Sequence, residues 1–261
     1  MLVLGLDTAT AVCALGVVDL ASGKTLASRG NVVGPRHGER LLEEIDSVLA
    51  CAGIELAELG ALAVSAGPGS FTGLRVGLAT AKGLALAGGL PLAGVPTLAA
   101  LAAAAWQRFP EIVTAGTLVC ACLDARRGEV TSQLWEILPG ESAAFPLRPL
   151  VEEVRCSKPD TLGRELAELE CPLLLVGDGA ERYPELVVPG ARLLGLSRCP
   201  PDGAVVAHLG ARSLRANPAA CTAGAVAPLY VQATDAERNL GQGRLGGRSP
   251  FAGGTRGTET H

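Results

Sequence analysis

Four short segments of this chain carry groups that could do chemistry. Asp7-Thr8-Ala9-Thr10 follows the apolar run LVLGLD (2–7). A carboxylate at a strand tip can position a metal, and the hydroxyls with turn N–H groups can hold a phosphate. Glycine at the third position would let the backbone approach that phosphate closely, and here the residue is Ala9. Two readings stand: a working phosphate site, or a vestigial turn with a structural role only. Gly67-Pro68-Gly69-Ser70-Phe71-Thr72-Gly73 imitates a phosphate loop but fails GxxxxGK[ST], because Leu74-Arg75 follow Gly73. It is either a tight strand-to-helix turn or an anion contact at a helix start. Asp124-Ala125-Arg126-Arg127-Gly128-Glu129 is either a solvated hairpin or an anion contact, and Gly177-Asp178-Gly179 is a further strand-to-helix turn.

Other chemistries lack their parts. The three histidines are His37, His208 and the C-terminal His261. No CxxC occurs among the eight cysteines, so a zinc site is not expected. Cys120 and Cys122 alternate inside an apolar run and read as small core residues of a reducing compartment. His37 reads as a solvated residue at a helix start, and no Ser-His-Asp or Cys-His set assembles. Basic residues number 22 against 26 acidic, a net charge of −4, which argues against an autonomous nucleic-acid binder. Hydrophobic residues at 48% with 18% charged place the chain among globular proteins.

These segments need elements to position them. Residues 2–7, 11–19 and 24–31 read as strands joined by connections too short for anything but an antiparallel meander. An amphipathic helix follows over 38–52, with Leu41, Leu42, Ile45, Val48, Leu49 and Ala52 on one face and Gly53 past its end. Then come a strand (61–67), a helix (73–87), a strand (90–95) and a helix (97–107). Residues 83–106 are uncharged and long enough to span a bilayer, but Gly88, Gly89, Pro91 and Pro96 break them into helix end, strand and new helix. The N-terminus lacks the basic region of a signal peptide, so a soluble, cytoplasmic protein is expected.

The order βββαβαβα is that of the ribonuclease H-like fold, which the actin-like ATPase superfamily duplicates. A second strand ending in Asp (117–125) opens a second half, with a strand at 129–138, a helix at 159–169, a strand and turn at 172–179 and a helix at 202–216. Strand-Asp-hairpin thus occurs twice, a weak internal repeat. The expected organisation is a first domain over 1–110, a degenerate second domain over 111–235 whose last helix is free to pack back on the first, and a Gly/Arg-rich tail over 236–261. The tail has seven Gly and no apolar periodicity, so it reads as disordered and dispensable.

The helix over 73–87 is apolar nearly all round, with only Arg75 and Lys82 charged, so one sheet face cannot cover it. Gly73, Gly77, Ala81 and Ala85 form a small-residue ridge at spacing four. The ridge packs either on the protein's own elements or on a helix of another subunit.

LGLDTAT (4–10), HGERLL (37–42), SAGPGSFTGLRVGLATAKGLA (65–85) and GVPTLAALA (94–102) resemble the TsaB (YeaZ) family. So do LDARRGEV (123–130), VGDGAERY (176–183) and PLYVQATDAE (228–237), and the resemblance covers residues 1–237. It implies a non-catalytic subunit of the bacterial machinery that makes threonylcarbamoyladenosine at position 37 of tRNAs reading ANN codons. The implied partners are a TsaD-like catalytic subunit and a TsaE-like ATPase, with TsaC supplying threonylcarbamoyl-AMP. tRNA is reached through the complex, and a homodimer is open for the isolated chain. No cofactor, metal or membrane is implied. The resemblance places the contact with the catalytic subunit on the two helices 38–52 and 73–87, as a four-helix bundle. The expected interface is Leu41, Leu42, Ile45, Gly73, Gly77, Leu78, Ala81 and Ala85, with Asp7, Thr8 and Thr10 left as a vestigial phosphate turn.

The chain departs from the catalytic paralogue where that protein has a His-x-x-x-His metal pair: the positions here are Thr97 and Leu101. The alternative reading is an independent ATPase or sugar kinase-like enzyme, which Ala9 and the lost pair disfavour. A peptidase reading finds neither a metal pair nor a nucleophile set.

Overall fold

The computed structural model describes residues 1–32, 37–138 and 145–231, with the backbone alone for 37–39. The tail and the side chain of His37 lie outside the described residues. The first half contains β1 (Leu2–Asp7), β2 (Val12–Asp19), β3 (Lys24–Val32), α1 (His37–Ala52), β4 (Leu59–Gly67), α2 (Phe71–Gly88), β5 (Leu92–Pro96) and α3 (Thr97–Arg108). The second contains β6 (Leu118–Arg126), β7 (Glu129–Ile137), β8 (Leu147–Pro149), β9 (Arg155–Ser157), α4 (Pro159–Ala167), β10 (Leu173–Val176), α5 (Asp178–Arg182), β11 (Arg192–Leu194) and α6 (Gly203–Ala216). The elements expected from periodicity are present. β8, β9, β11 and α5 are additional, and at three to five residues each they are too short to show a period.

One sheet runs β3-β2-β1-β4-β5 and the other β11-β10-β6-β7-β8, with β9 beside β7. β1 is antiparallel to β2 and parallel to β4, and β6 is likewise antiparallel to β7 and parallel to β10. Read as β8-β7-β6-β10-β11, the second sheet repeats the first, so the fold is a duplicated ribonuclease H-like fold.

The buried side chains sort into layers. α1 and α2 cover the outer face of the first sheet, with Leu41, Ile45, Leu78, Ala81 and Ala85 against Leu4, Leu6 and Val64. α6 covers its inner face, with Ala204, Ala207 and Ala211 against Val3, Ala61 and Ala63. α3 bridges to the second sheet through Leu98 and Leu101, which pack with Val119, Ala121 and Val176. α4 and α5 cover the far face of that sheet, around Cys120, Cys122, Leu162 and Ala180.

α6 comes very close to the first sheet because glycines make room. Gly5 and Gly16 pair directly across β1 and β2. A Cβ on Gly16 would stand 2.2 Å from the Ala204 nitrogen, and one on Gly5 2.0 Å from the Gly203 oxygen. Among the described residues no helix is long and apolar enough to cross a membrane, and α2, β5 and α3 divide the uncharged stretch as expected.

Candidate functional site

The turn after β1 is closed. Asp7 and Thr8 are 0% exposed, and Ala9 and Thr10 are buried. One Asp7 carboxylate oxygen accepts from the Ala9 N–H at 2.9 Å, and the other accepts from the Ser65 hydroxyl at the end of β4. Burial pushes the Asp7 carboxyl up from the usual range, and the two hydrogen bonds pull the other way. The Thr8 hydroxyl donates to the Gly73 carbonyl at 2.8 Å, and Thr10 accepts from the Val12 N–H at 3.1 Å. The loop 67–73 folds over this turn, with the Ser70 N–H donating to the Ala9 carbonyl at 2.7 Å. Ser70 also caps α2 by accepting from the Gly73 N–H.

The small ridge of α2 faces this turn and the sheet beneath it. A Cβ on Gly73 would stand 2.0 Å from the Thr8 carbonyl oxygen, and one on Gly77 2.2 Å from the Thr8 hydroxyl. Ala81 and Ala85 lie in the outer core with Leu41 and Ile45 of α1. This corrects the expected use of the ridge: Gly73, Gly77, Leu78, Ala81 and Ala85 pack the chain's own β1–β2 turn and sheet. The expectation fails because sequence spacing shows that a helix has a small face, but not which neighbour the face meets. An Ala81→Trp change would overpack the chain's own core. Of the eight interface residues expected, Leu42 alone is exposed, at 61%.

The outward side of α2 holds other residues. Ala79, Gly83, Leu86 and Ala87 are exposed, and a Cβ on Gly83 would meet nothing within 4 Å. Leu86 is 74% exposed. Thr72, Val76, Ala79, Gly83 and Leu86 step by four and three, the spacing of a helix-packing seam. That spacing is present in the sequence beside the ridge at spacing four, and nothing local ranks one above the other.

A C-terminal strap closes the same end of the molecule. The Leu229 N–H donates to the Ala66 carbonyl at 2.7 Å, above the turn at Gly67 (φ +113°), where a Cβ would strike Leu229. Next to it, Tyr230 and Phe71 hold their rings 5.2 Å apart. The Arg75 guanidinium lies 3.7 Å from the Phe71 ring centre, and its Nε donates to the Tyr230 hydroxyl at 3.2 Å. Sequence reading assigns none of the three a role, and two of the chain's eight aromatics meet here. An apolar cleft of about 240 Å³ under the strap is lined by Ala66, Gly67, Gly94, Pro96, Val226 and Leu229.

The second strand-end aspartate has a different setting. Asp124 accepts from the Tyr183 hydroxyl at 2.8 Å and the Arg126 N–H at 2.9 Å, and pairs with Arg182 at 3.3 Å. Asp178 accepts from the Asp124 N–H at 2.9 Å; its carboxyl is pushed up by burial and, more weakly, by the Asp124 charge. Arg126 and Arg127 turn the hairpin at φ +68° and +55°, a region arginine rarely adopts. Thr97 and Leu101, the positions where the resemblance would place a metal pair, are both fully buried, and Leu101 packs in the central core. No three His, Cys, Asp or Glu side chains gather into a possible metal site among the described residues. Burial lifts the Cys13 thiol to about 12, in keeping with its place in the outer core.

Fold and sites together define an α/β protein of duplicated ribonuclease H-like fold whose first strand-end turn is filled by its own loop. Residues 30–144 match the family model described as TsaD, tRNA N6-adenosine threonylcarbamoyltransferase. The chain is 33% identical over 186 residues to the tRNA threonylcarbamoyladenosine biosynthesis protein TsaB of Escherichia coli K12, covering 71% of this chain and 75% of that one. It is 38% identical over 130 residues to TsaB of Haemophilus influenzae, 49% of this chain and 50% of that one. Among solved structures it is similar to a Pseudomonas aeruginosa protein described as having similarity to peptidase YEAZ. The TM-score is 0.73 at 26% identity, covering 88% of this chain and 99% of that one. The YeaZ structure from the same organism gives a TM-score of 0.70. The chain belongs to the TsaB family.

Proposed function

We propose that this chain is a non-catalytic subunit of the machinery that transfers a threonylcarbamoyl group from threonylcarbamoyl-AMP to N6 of adenosine 37 in tRNAs reading ANN codons. It acts in the cytoplasm by binding a TsaD-type catalytic subunit and holding it in its active form. A TsaE-type ATPase joins the assembly, and tRNA is reached through the complex. The observation that carries this reading is the outward face of α1 and α2. Leu42, Ala79, Gly83 and Leu86 form an exposed, largely apolar surface where another helix pair fits. In the isolated chain the same face is available for a homodimer. The filled turn around Asp7 supports a scaffold over an ATPase or kinase-like enzyme, since its polar groups bond to the chain itself. The first domain (1–110) carries the partner face, and the second (111–235) buttresses it through α6.

The test is reconstitution. TsaD-, TsaC- and TsaE-type proteins with tRNA should form the modified nucleoside only when this chain is added. ATP turnover by the chain alone on the order of 1 s⁻¹, an ordinary enzyme rate, would favour the kinase-like reading instead.

A further inference from the structure

The start of α2 carries a feature that an apolar helix face does not need. Arg75 is exposed, yet it is fixed: its guanidinium stacks on Phe71 and its Nε is tied to the Tyr230 hydroxyl. Phe71 and Tyr230 are themselves 39% and 38% exposed. Among the described residues no carboxylate pairs with Arg75. The hydrogen bond engages Nε and leaves the terminal Nη groups to bind an oxyanion. An arginine held in this way has lost much of its side-chain freedom beforehand, so binding loses less entropy. Aromatic residues and arginine are also the types that dominate interface energetics.

Arg75 lies on the outward side of α2, one turn before Ala79 and beside Val76 of the seam. It therefore continues the apolar face at its upper end. The surroundings favour a protein carboxylate over an RNA phosphate. The seam below is apolar apart from the half-buried Lys82 at its edge, and the neighbouring helix α1 exposes Glu43 and Asp46 against a single arginine, Arg40, so no continuous basic track among the described residues is offered to a polyanion. A single fixed cation at the end of an apolar stripe sets the register of one helix pair on another.

We propose that Arg75, clamped by Phe71 and Tyr230, is the polar anchor of the partner face and docks a carboxylate of the TsaD-type subunit. This rests on the function proposed above and adds the residue that orients the partner. It also assigns the strap a role in binding. Residues 228–231 bring Tyr230 to Arg75, so the strap belongs to the interface.

The test titrates the cognate TsaD-type subunit into full-length wild type, Arg75→Glu, Arg75→Lys, Tyr230→Ala and Leu86→Arg, each first confirmed folded by its melting curve. Arg75→Glu should lose about thirtyfold or more in affinity, as for an interfacial charge left facing its like. Arg75→Lys keeps the charge without the planar fork and should lose about fivefold, with Tyr230→Ala similar. The salt dependence of wild-type binding should flatten in Arg75→Glu, which loss of packing alone would not produce. If Leu86→Arg abolishes binding while Arg75→Glu binds within twofold of wild type, the anchor is overturned and the helix-face reading stands. If both bind as wild type, the helix-face reading fails and the anchor with it. If Arg75→Glu leaves subunit affinity intact but weakens tRNA binding by the assembled complex, the anchor is overturned and Arg75 is an RNA contact.

Discussion

In the first half of the chain the aspartate at the tip of β1 is sealed in by its own turn, and in the second half the aspartate at the tip of β6, its side chain 7% exposed, is tied to an arginine and a tyrosine. Both follow similar apolar runs, LVLGLD and LVCACLD, in sheets of the same order. The second run is one residue longer. Side chains alternate across a strand, so one residue moves the aspartate to the other face. Asp7 shares its face with Gly5 and Val3, toward α6, and bonds to Ser65. Asp124 shares its face with Cys122 and Cys120, toward α5, and bonds to Tyr183. What reads as one motif used twice is two different devices. The outer helices differ in the same sense: α1 and α2 have 16 and 18 residues, against nine and five for α4 and α5. The first half is left with a long helical surface to present, and the second with short helices that cover only their own sheet.

The largest effect should come from the glycine notch that lets α6 lie on the first sheet. Gly16→Ala would place a methyl 2.2 Å from the Ala204 backbone nitrogen, and backbone cannot swing aside as a side-chain end can. A loss of about 3 kcal/mol or more is expected, a fall in melting temperature of about 10 °C. Thermal unfolding by circular dichroism reads it directly. A Gly16→Ala protein that melts like wild type would mean that α6 does not lie on the first sheet, and that the two halves are not joined in this way.

The aspartate of the second half comes next. Asp124→Ala removes the acceptor from the Tyr183 hydroxyl and the Arg126 N–H, and the partner from Arg182. Leaving half-buried donors unmatched should cost about 1–3 kcal/mol, with little of it from the exposed arginine. Urea unfolding should show a lower midpoint at unchanged slope. An unchanged midpoint would show that water replaces these bonds freely, and that the second device is ornamental.

Much of this contrast is hidden in the sequence. The strand order of the first half is legible because its strands and helices are long enough to show a period. β11, at three residues, is not, and neither is the strand pairing of the second sheet. Closure of the Asp7 turn has no local signature, since it depends on loop 67–73 arriving from sixty residues away. Composition identifies α2 as a helix needing more than a sheet to cover it. Its periodicity allows two small-residue faces, and only tertiary contact assigns Gly77 inward and Gly83 outward. Arg75, Phe71 and Tyr230 meet across 155 residues of chain, beyond any local pattern.

The two glycines of α2 turn that point into a smaller, signed effect. Gly83→Ala adds a methyl in open space and removes a poor helix former, so the chain should gain about 1 kcal/mol and melt a few degrees higher. Gly77→Ala should instead melt lower, because the methyl would stand 2.2 Å from the Thr8 hydroxyl. If a partner helix sits close on the outward seam, Gly83→Ala should bind the TsaD-type subunit several-fold more weakly despite its greater stability. Loss of stability in both variants would put Gly83 inside the fold and remove the outward face.

The smallest effect is the most specific to the sealed aspartate, and its sign follows from burial. Desolvation raises the Asp7 carboxyl above its unfolded value, so the native state holds its proton more tightly than the unfolded chain does. Stability from this group is therefore complete below the ordinary carboxylate range, about pH 4, and is lost as pH rises through the raised native value. Asp7→Asn keeps the shape and removes the charge. It can still accept from the Ala9 N–H, while the Ser65 hydroxyl turns to accept from the new amide. The variant should match or exceed wild type in stability at pH 7, and the difference should shrink to nothing as pH falls below about 4. Paired urea titrations of the two proteins at several pH values isolate this contribution, since every other titrating group is common to both. A working phosphate or metal turn would behave otherwise: Asp7→Asn would abolish tRNA modification in the reconstituted system with the fold intact. Full modification by a variant as stable as wild type would leave Asp7 a structural residue, and leave the two halves alike in topology alone.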